Sequence, residues 1–168
     1  PATSGKVDLI ASAARGTVKG QVAVSESDAI KSLRFAPDEP DVPDEVIAAI
    51  DQADVVVLGP GSLYTSVLAA LVPGIRAALE ATDALVVYVA NLAAESTETE
   101  GYDLVDHINA VRRHGIEPDI ILAGNDALVP PGYEIMVIRA DLAAVGKDTH
   151  DPLKLAAALE DVAIRSCS

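Results

Sequence analysis

Few stretches of this chain could do chemistry, and the first is Gly59-Pro60-Gly61-Ser62-Leu63-Tyr64-Thr65-Ser66. Two glycines one residue apart permit a sharp turn and let backbone approach a ligand with no Cβ in the way. Residues 62–72 then fit a helix whose first N–H groups have no partner inside it. Such an N-terminus, at the carboxyl end of a strand, suits a phosphate. The hydroxyls of Ser62, Thr65 and Ser66 offer further donors. Gly59-x-Gly61 lacks the third glycine of a dinucleotide fingerprint, and no Gly-Lys-Ser/Thr of a P-loop follows. The pattern alone stays open between an anion site and a tight turn that binds nothing.

The second stretch is Asn91 with Glu98 and Thr99, in a polar loop after an apolar run. An open α/β sheet places its ligand outside the carboxyl ends of its strands. Asn91 donates and accepts at once, as reading a base or a sugar requires. Glu98 and Thr99 could orient a metal, a hydroxyl or only the helix that follows. For Thr99 and Asp103 the plainer role is helix capping. His150, just before Asp151, could reach a phosphate or belong to a cap. His107 and His114 lie two turns apart on one helix, too far to share a zinc ion, and read as surface or boundary histidines. Ser62 lacks the Gly-x-Ser-x-Gly setting of a hydrolytic nucleophile. No convincing catalytic set emerges.

These residues need elements to position them. Val55–Leu58 is wholly aliphatic, as a strand buried on both faces of a parallel sheet would be. Further strands are expected at 85–90, 120–123 and 135–138. Helices are expected from Asp44, as cap, to 52, then at 73–81, 103–114 and from Pro152 onward. Leu104, Ile108 and Val111 share one face of the third of these, and Gly115 ends it. Before them, 7–14 and 17–24 read as a β-hairpin, with a third short strand at 32–36. The layout is a single α/β segment, with a β-hairpin region over 1–36 and a βαβα region over 43–168.

At 168 residues the chain is one domain's worth, with an aliphatic core, because it holds four Tyr, one Phe and no Trp. A formal net charge of −14 argues against nucleic acid as a partner and leaves any anion to be held by local donors. A single cysteine, Cys167, rules out an internal disulfide and suits a reducing, cytoplasmic compartment. No stretch reads as a signal peptide or is apolar for long enough to span a membrane. The first residue is Pro1, as in a piece of a longer chain.

Taken in order, Leu58–Ser66, Asn91-Leu92, Glu98-Thr99-Glu100-Gly101-Tyr102 with Asp106-His107, and His150-Asp151-Pro152 with Lys154-Leu155 resemble the gluconeogenesis-factor (YvcK-like) family. That family is related to 2-phospho-L-lactate transferase. The resemblance runs from end to end, the opening hairpin included. It implies a Rossmann-like, three-layer α/β fold with a parallel sheet and an N-terminal β-hairpin extension. It also implies a bacterial cytoplasmic protein that binds a nucleotide-sugar, expected to be a UDP-sugar, and steers carbon toward cell-wall precursors and cell shape. The residues it points to are Gly59, Pro60, Gly61, Ser62, Tyr64, Thr65, Ser66, Asn91, Glu98, Thr99 and His150. The transferase relatives move a phospholactyl group onto a deazaflavin using magnesium, which keeps open both a metal and a second, enzymatic function.

Two departures stand out. Ser96-Thr97 replaces the family's Pro-Gly, and Thr149 replaces an arginine before His-Asp. Family members also begin with a glycine-rich half that this chain lacks. It is therefore expected to be the carboxyl-terminal half of a larger nucleotide-binding domain, paired with the absent half or with itself, with a metabolic enzyme as a candidate partner.

Overall fold

The computed structural model describes residues 2–94, 97–130 and 132–166. Pro1, Ser96 and Cys167 lie outside the described residues. The centre is a parallel sheet of β4 (Val55–Leu58), β5 (Leu85–Val89), β6 (Ile120–Gly124) and β7 (Met136–Ala140), side by side in that order. Alternate residues serve opposite faces. Val86, Tyr88, Ala90, Ile121 and Ala123 join one apolar cluster, and Val87, Val89, Ile120 and Leu122 join the other. Both faces are covered at the central β5 and β6, so these two strands read as unbroken apolar runs rather than alternating ones.

The second cluster is closed by α6 (Pro152–Ser166) through Leu155, Leu159 and Val162. The first is closed by α4 (Pro73–Ala81) and α5 (Leu104–Arg113). The result is the expected three-layer α/β arrangement. Asp151 caps α6, its carboxylate accepting from the Leu153 and Lys154 N–H groups. Asp103 and Asp106 form a reciprocal capping box on α5. Helix α2 (Asp44–Asp51) begins one residue earlier in its cap than expected: Pro43 holds the cap position and Asp44 lies in the first turn without capping.

The amino-terminal region is a small antiparallel sheet in the order β2-β1-β3, from β1 (Asp8–Ala13), β2 (Gly16–Lys19) and β3 (Ser32–Ala36). The expected strand 17–24 stops at Lys19. Gly20 takes φ +99°, and Gln21–Ser25 form a short helix, α1. A continued strand would put Val22 and Val24 on one face; the helix instead leaves Val22 71% exposed and Val24 0% exposed. The expected helix 62–72 is also recast, as a π-helical turn over Leu63–Val67 and a short α3 (Leu68–Ala70). Among the described residues no single helix is long and apolar enough to cross a membrane.

His114 joins the two sheets. Its Nδ1–H donates to the Ala110 carbonyl at 2.7 Å, and its Nε2 accepts the Leu33 N–H at 3.2 Å. Only the neutral ring can do both. Burial holds its pKa below the ordinary histidine value; the Arg113 and Arg76 charges push the same way, while the Ala110 bond opposes them. The native ring therefore resists a proton that the unfolded chain accepts below about pH 6.5. This contribution is complete above that pH and disappears as pH falls through the lowered native value. Urea denaturation at pH 7.5 and 5.5 should show wild type losing more stability on acidification than His114→Gln. Equal losses would show that His114 is not the sensitive contact.

Candidate functional site

The Gly-Pro-Gly turn leaves β4 next to the end of β5. Gly59 sits at φ +86°, and a Cβ there would lie 3.0 Å from the Val89 carbonyl oxygen. A Cβ on Gly61 would meet the Ser66 Cβ at 3.1 Å. Both glycines thus answer to the fold's own packing: one to a left-handed backbone against β5, the other to the π-helical turn. The expectation that they clear space for a ligand is replaced by this internal reason.

The N-terminus of that turn has an occupant too. Glu98, 2% exposed, accepts the Tyr64 N–H at 2.7 Å, the Thr65 N–H at 3.1 Å and the Thr65 hydroxyl at 2.7 Å. A carboxylate here does what a phosphate was expected to do, drawn by the same N–H groups and helix dipole. An external anion would have to displace it. Thr65 is further tied to α1, because Gln21 donates to its carbonyl at 2.8 Å. Tyr64 is fully buried and donates to the Ile30 carbonyl at 3.1 Å, which leaves the Tyr102 hydroxyl as donor in their mutual 2.9 Å bond. Burial, then the Tyr102 bond, raises the Tyr64 pKa, so its hydroxyl stays protonated. Thr99 is buried in the tight turn that leads to Tyr102. Of the turn's residues, Pro60 and Ser66 are exposed and Ser62 is half-buried.

The open space lies one strand over. A cleft of about 570 Å³ runs along the carboxyl ends of β5, β6 and β7. Asn91, Tyr102, His107, Asn125, Asp126 and Asp141 are among the residues that line it. Asn91 lies just past β5, at this cleft. His107 is not a surface histidine: it is 4% exposed and packs edge-on to Tyr102 at 5.5 Å between centroids. Its Nδ1–H donates to the Asp103 carbonyl at 2.8 Å, and its Nε2 is buried with no partner among the described residues. Positions 104, 107, 108 and 111 share one face of a helix, so the apolar pattern of α5 already implied that His107 faces inward. Nothing local flagged Asn125, Asp126 or Asp141.

His150 pairs with Ala143 in a β-bridge beside the cleft. Burial lowers its pKa, against a hydrogen bond to the Ala90 backbone. Its Nε2 is also buried without a partner among the described residues. Lys154, next along, is engaged by Asp141 and the Ala143 carbonyl, both at 2.8 Å. Among the described residues no group of three His, Cys, Asp or Glu is placed to hold a metal ion. A larger hollow of about 1130 Å³ opens at the opposite, amino-terminal edge of the sheet. Its charged lining is Asp54, Glu80, Asp83, Glu117 and Asp119, with no lysine or arginine, and neither unpartnered histidine faces it. The carboxyl edge is the better site, as in other open α/β sheets.

Glu98→Ala should cost about 3 kcal/mol in urea denaturation, because it strands two buried N–H groups and a hydroxyl. Glu98→Gln, which keeps an acceptor, should cost less than half as much. A neutral Glu98→Ala would mean that the carboxylate does not hold the turn.

Comparison with known proteins supplies the family. A Deinococcus radiodurans protein provisionally named a gluconeogenesis factor is 37% identical over 185 residues, covering 95% of this chain and 40% of its own length. A Mycobacterium tuberculosis protein with the same provisional name is 38% identical over 165 residues, covering 88% and 48%. A gluconeogenesis factor of Halalkalibacterium halodurans is 43% identical over 99 residues, covering 56% of this chain and 31% of its own. The crystal structure of a Bacillus halodurans protein of the UPF0052 family superposes with a TM-score of 0.86 at 28% identity, covering 95% of this chain and 60% of that one. This chain thus spans less than half the length of these curated relatives. The family model described as 2-phospho-L-lactate transferase CofD matches residues 1–156, and the chain belongs to that family, among relatives that carry the gluconeogenesis-factor name.

Proposed function

We propose that this chain is the nucleotide-sugar-binding part of a cytoplasmic regulatory protein of bacterial carbon metabolism. The ligand is a UDP-sugar, held along the carboxyl edge of the parallel sheet. One observation carries the reading: the cleft at the ends of β5–β7, lined by Asn91 and by His107, whose buried Nε2 has no partner among the described residues. On this proposal the Ser62 and Ser66 hydroxyls on the turn after β4, with His150, serve the phosphates. In this reading occupancy of the cleft reports nucleotide-sugar supply to a metabolic enzyme partner, and so couples carbon flow to cell-wall precursors and cell shape.

The reading also gives the free edge of β4 a role. Val57 there is 40% exposed, beside an apolar groove of Pro43, Val46, Ile50 and Val55. Further chain of the kind the longer relatives carry, or a second copy, would bury it.

The family's transferase name favours a second reading, group transfer from a phosphorylated small molecule with magnesium. The two part at turnover. In a thermal-shift panel of UDP-sugars, GDP and magnesium, a UDP-sugar at a hundred times its Kd should raise Tm by about 5 °C or more. Chromatography of the same mixtures should show the nucleotide intact. No shift with any nucleotide-sugar would overturn the binding reading, and saturable release of UDP or UMP would establish the transferase.

A further inference from the structure

We infer that His107 Nε2 is the acceptor for a hydroxyl or N–H of a neutral ligand group, and that the cleft takes the sugar or nucleoside end of its ligand, not a phosphate. Three features on the page lead there. The imidazole is 4% exposed, and its Nδ1–H is committed to the Asp103 carbonyl at 2.8 Å, so in the neutral ring the lone pair sits on Nε2. His107 lines the cleft, and its buried Nε2 meets no donor among the described residues. A buried acceptor left unmatched is costly, so a site that keeps one is suited to completion by a ligand donor.

The remaining wall selects the kind of donor. Asp103, Asp126, Asp141 and Asp148 line the cleft against Lys147 as its lysine. Asp141 already holds Lys154, but Lys154 does not line the cleft. A phosphate placed here would face more negative than positive charge at short range. Hydroxyl groups have no such difficulty: they donate to carboxylates and to Nε2, and exchange hydrogen bonds with the Asn91 and Asn125 amides, which both donate and accept. A polyhydroxylated group therefore matches the wall, while the charged end of a nucleotide-sugar would lie away from it, toward the turn after β4. This inference rests on the nucleotide-sugar reading for its probes, but its own readout is the histidine nitrogen.

The test follows the imidazole nitrogens of the full chain by ¹⁵N–¹H correlation while adding glucose, N-acetylglucosamine, uridine, UDP-glucose or inorganic phosphate. The expected result is a shift of the His107 Nε2 resonance with at least one hydroxylated probe and none with phosphate. In calorimetry, His107→Asn keeps the bond to Asp103 but removes the second nitrogen, and should weaken that probe about tenfold, the loss of one hydrogen bond. His107→Gln, whose oxygen can reach the Nε2 position, should recover most of that loss. A phosphate-induced shift, or no shift with any probe, would overturn the inference. UDP-glucose binding that His107→Asn leaves unchanged would overturn it too while leaving the nucleotide-sugar reading standing. Should His107→Asn fail to fold, the wild-type resonance decides alone.

Discussion

A carboxylate with almost no exposure has to be answered by donors, and in this protein Glu98 is answered by the start of the π-helical turn. That match couples two places far apart in sequence. The loop after β5 is pinned to the turn after β4, so the carboxyl ends of two adjacent strands are fixed relative to each other. The same turn holds Tyr64, whose hydroxyl reaches the Ile30 carbonyl and meets Tyr102. One buried, hydrogen-bonded side chain therefore orders the loop, the aromatic cluster and the approach of the small antiparallel sheet.

The aromatic cluster carries that order to the cleft. Tyr64 packs edge-on to both Tyr102 and His114, and Tyr102 packs edge-on to His107. In a chain with so few aromatic residues, this group is concentrated at one end of the sheet. His107 and His114 lie on the same helix yet serve different ends. Both nitrogens of His114 are spent inside the protein, tying α5 to β3, whereas His107 spends only one. The contrast separates a histidine that builds the fold from one that faces an open volume.

The acidic composition takes on a local meaning at this edge. Carboxylates line the cleft together with Lys147, while Lys154 beside them is bound to Asp141 and the Ala143 carbonyl. The expected anion site at the turn is meanwhile filled by the protein's own anion. In the proposed reading both observations favour hydroxyl groups over phosphate, since carboxylate acceptors outnumber cations along the wall.

The sequence by itself determined the parallel sheet and its helices. Runs such as Leu85–Val89 and Ile120–Ala123 are apolar on both alternating faces, as strands covered on both sides are. Asp103 and Asp151 announced their caps because capping is a local interaction between near neighbours. That Asn91 follows the carboxyl end of β5 was legible from the Leu85–Val89 run. The strand read over 17–24 failed because a positive-φ glycine and the burial of Val24, unlike that of Val22, override a local β pattern. Tertiary structure alone decided what meets the turn after β4. Its glycines and N–H groups carry the pattern of a phosphate site, and nothing within the turn tells an external anion from a glutamate more than thirty residues away. It alone decided His107 as well, since an unmatched nitrogen is defined by what every surrounding element fails to donate.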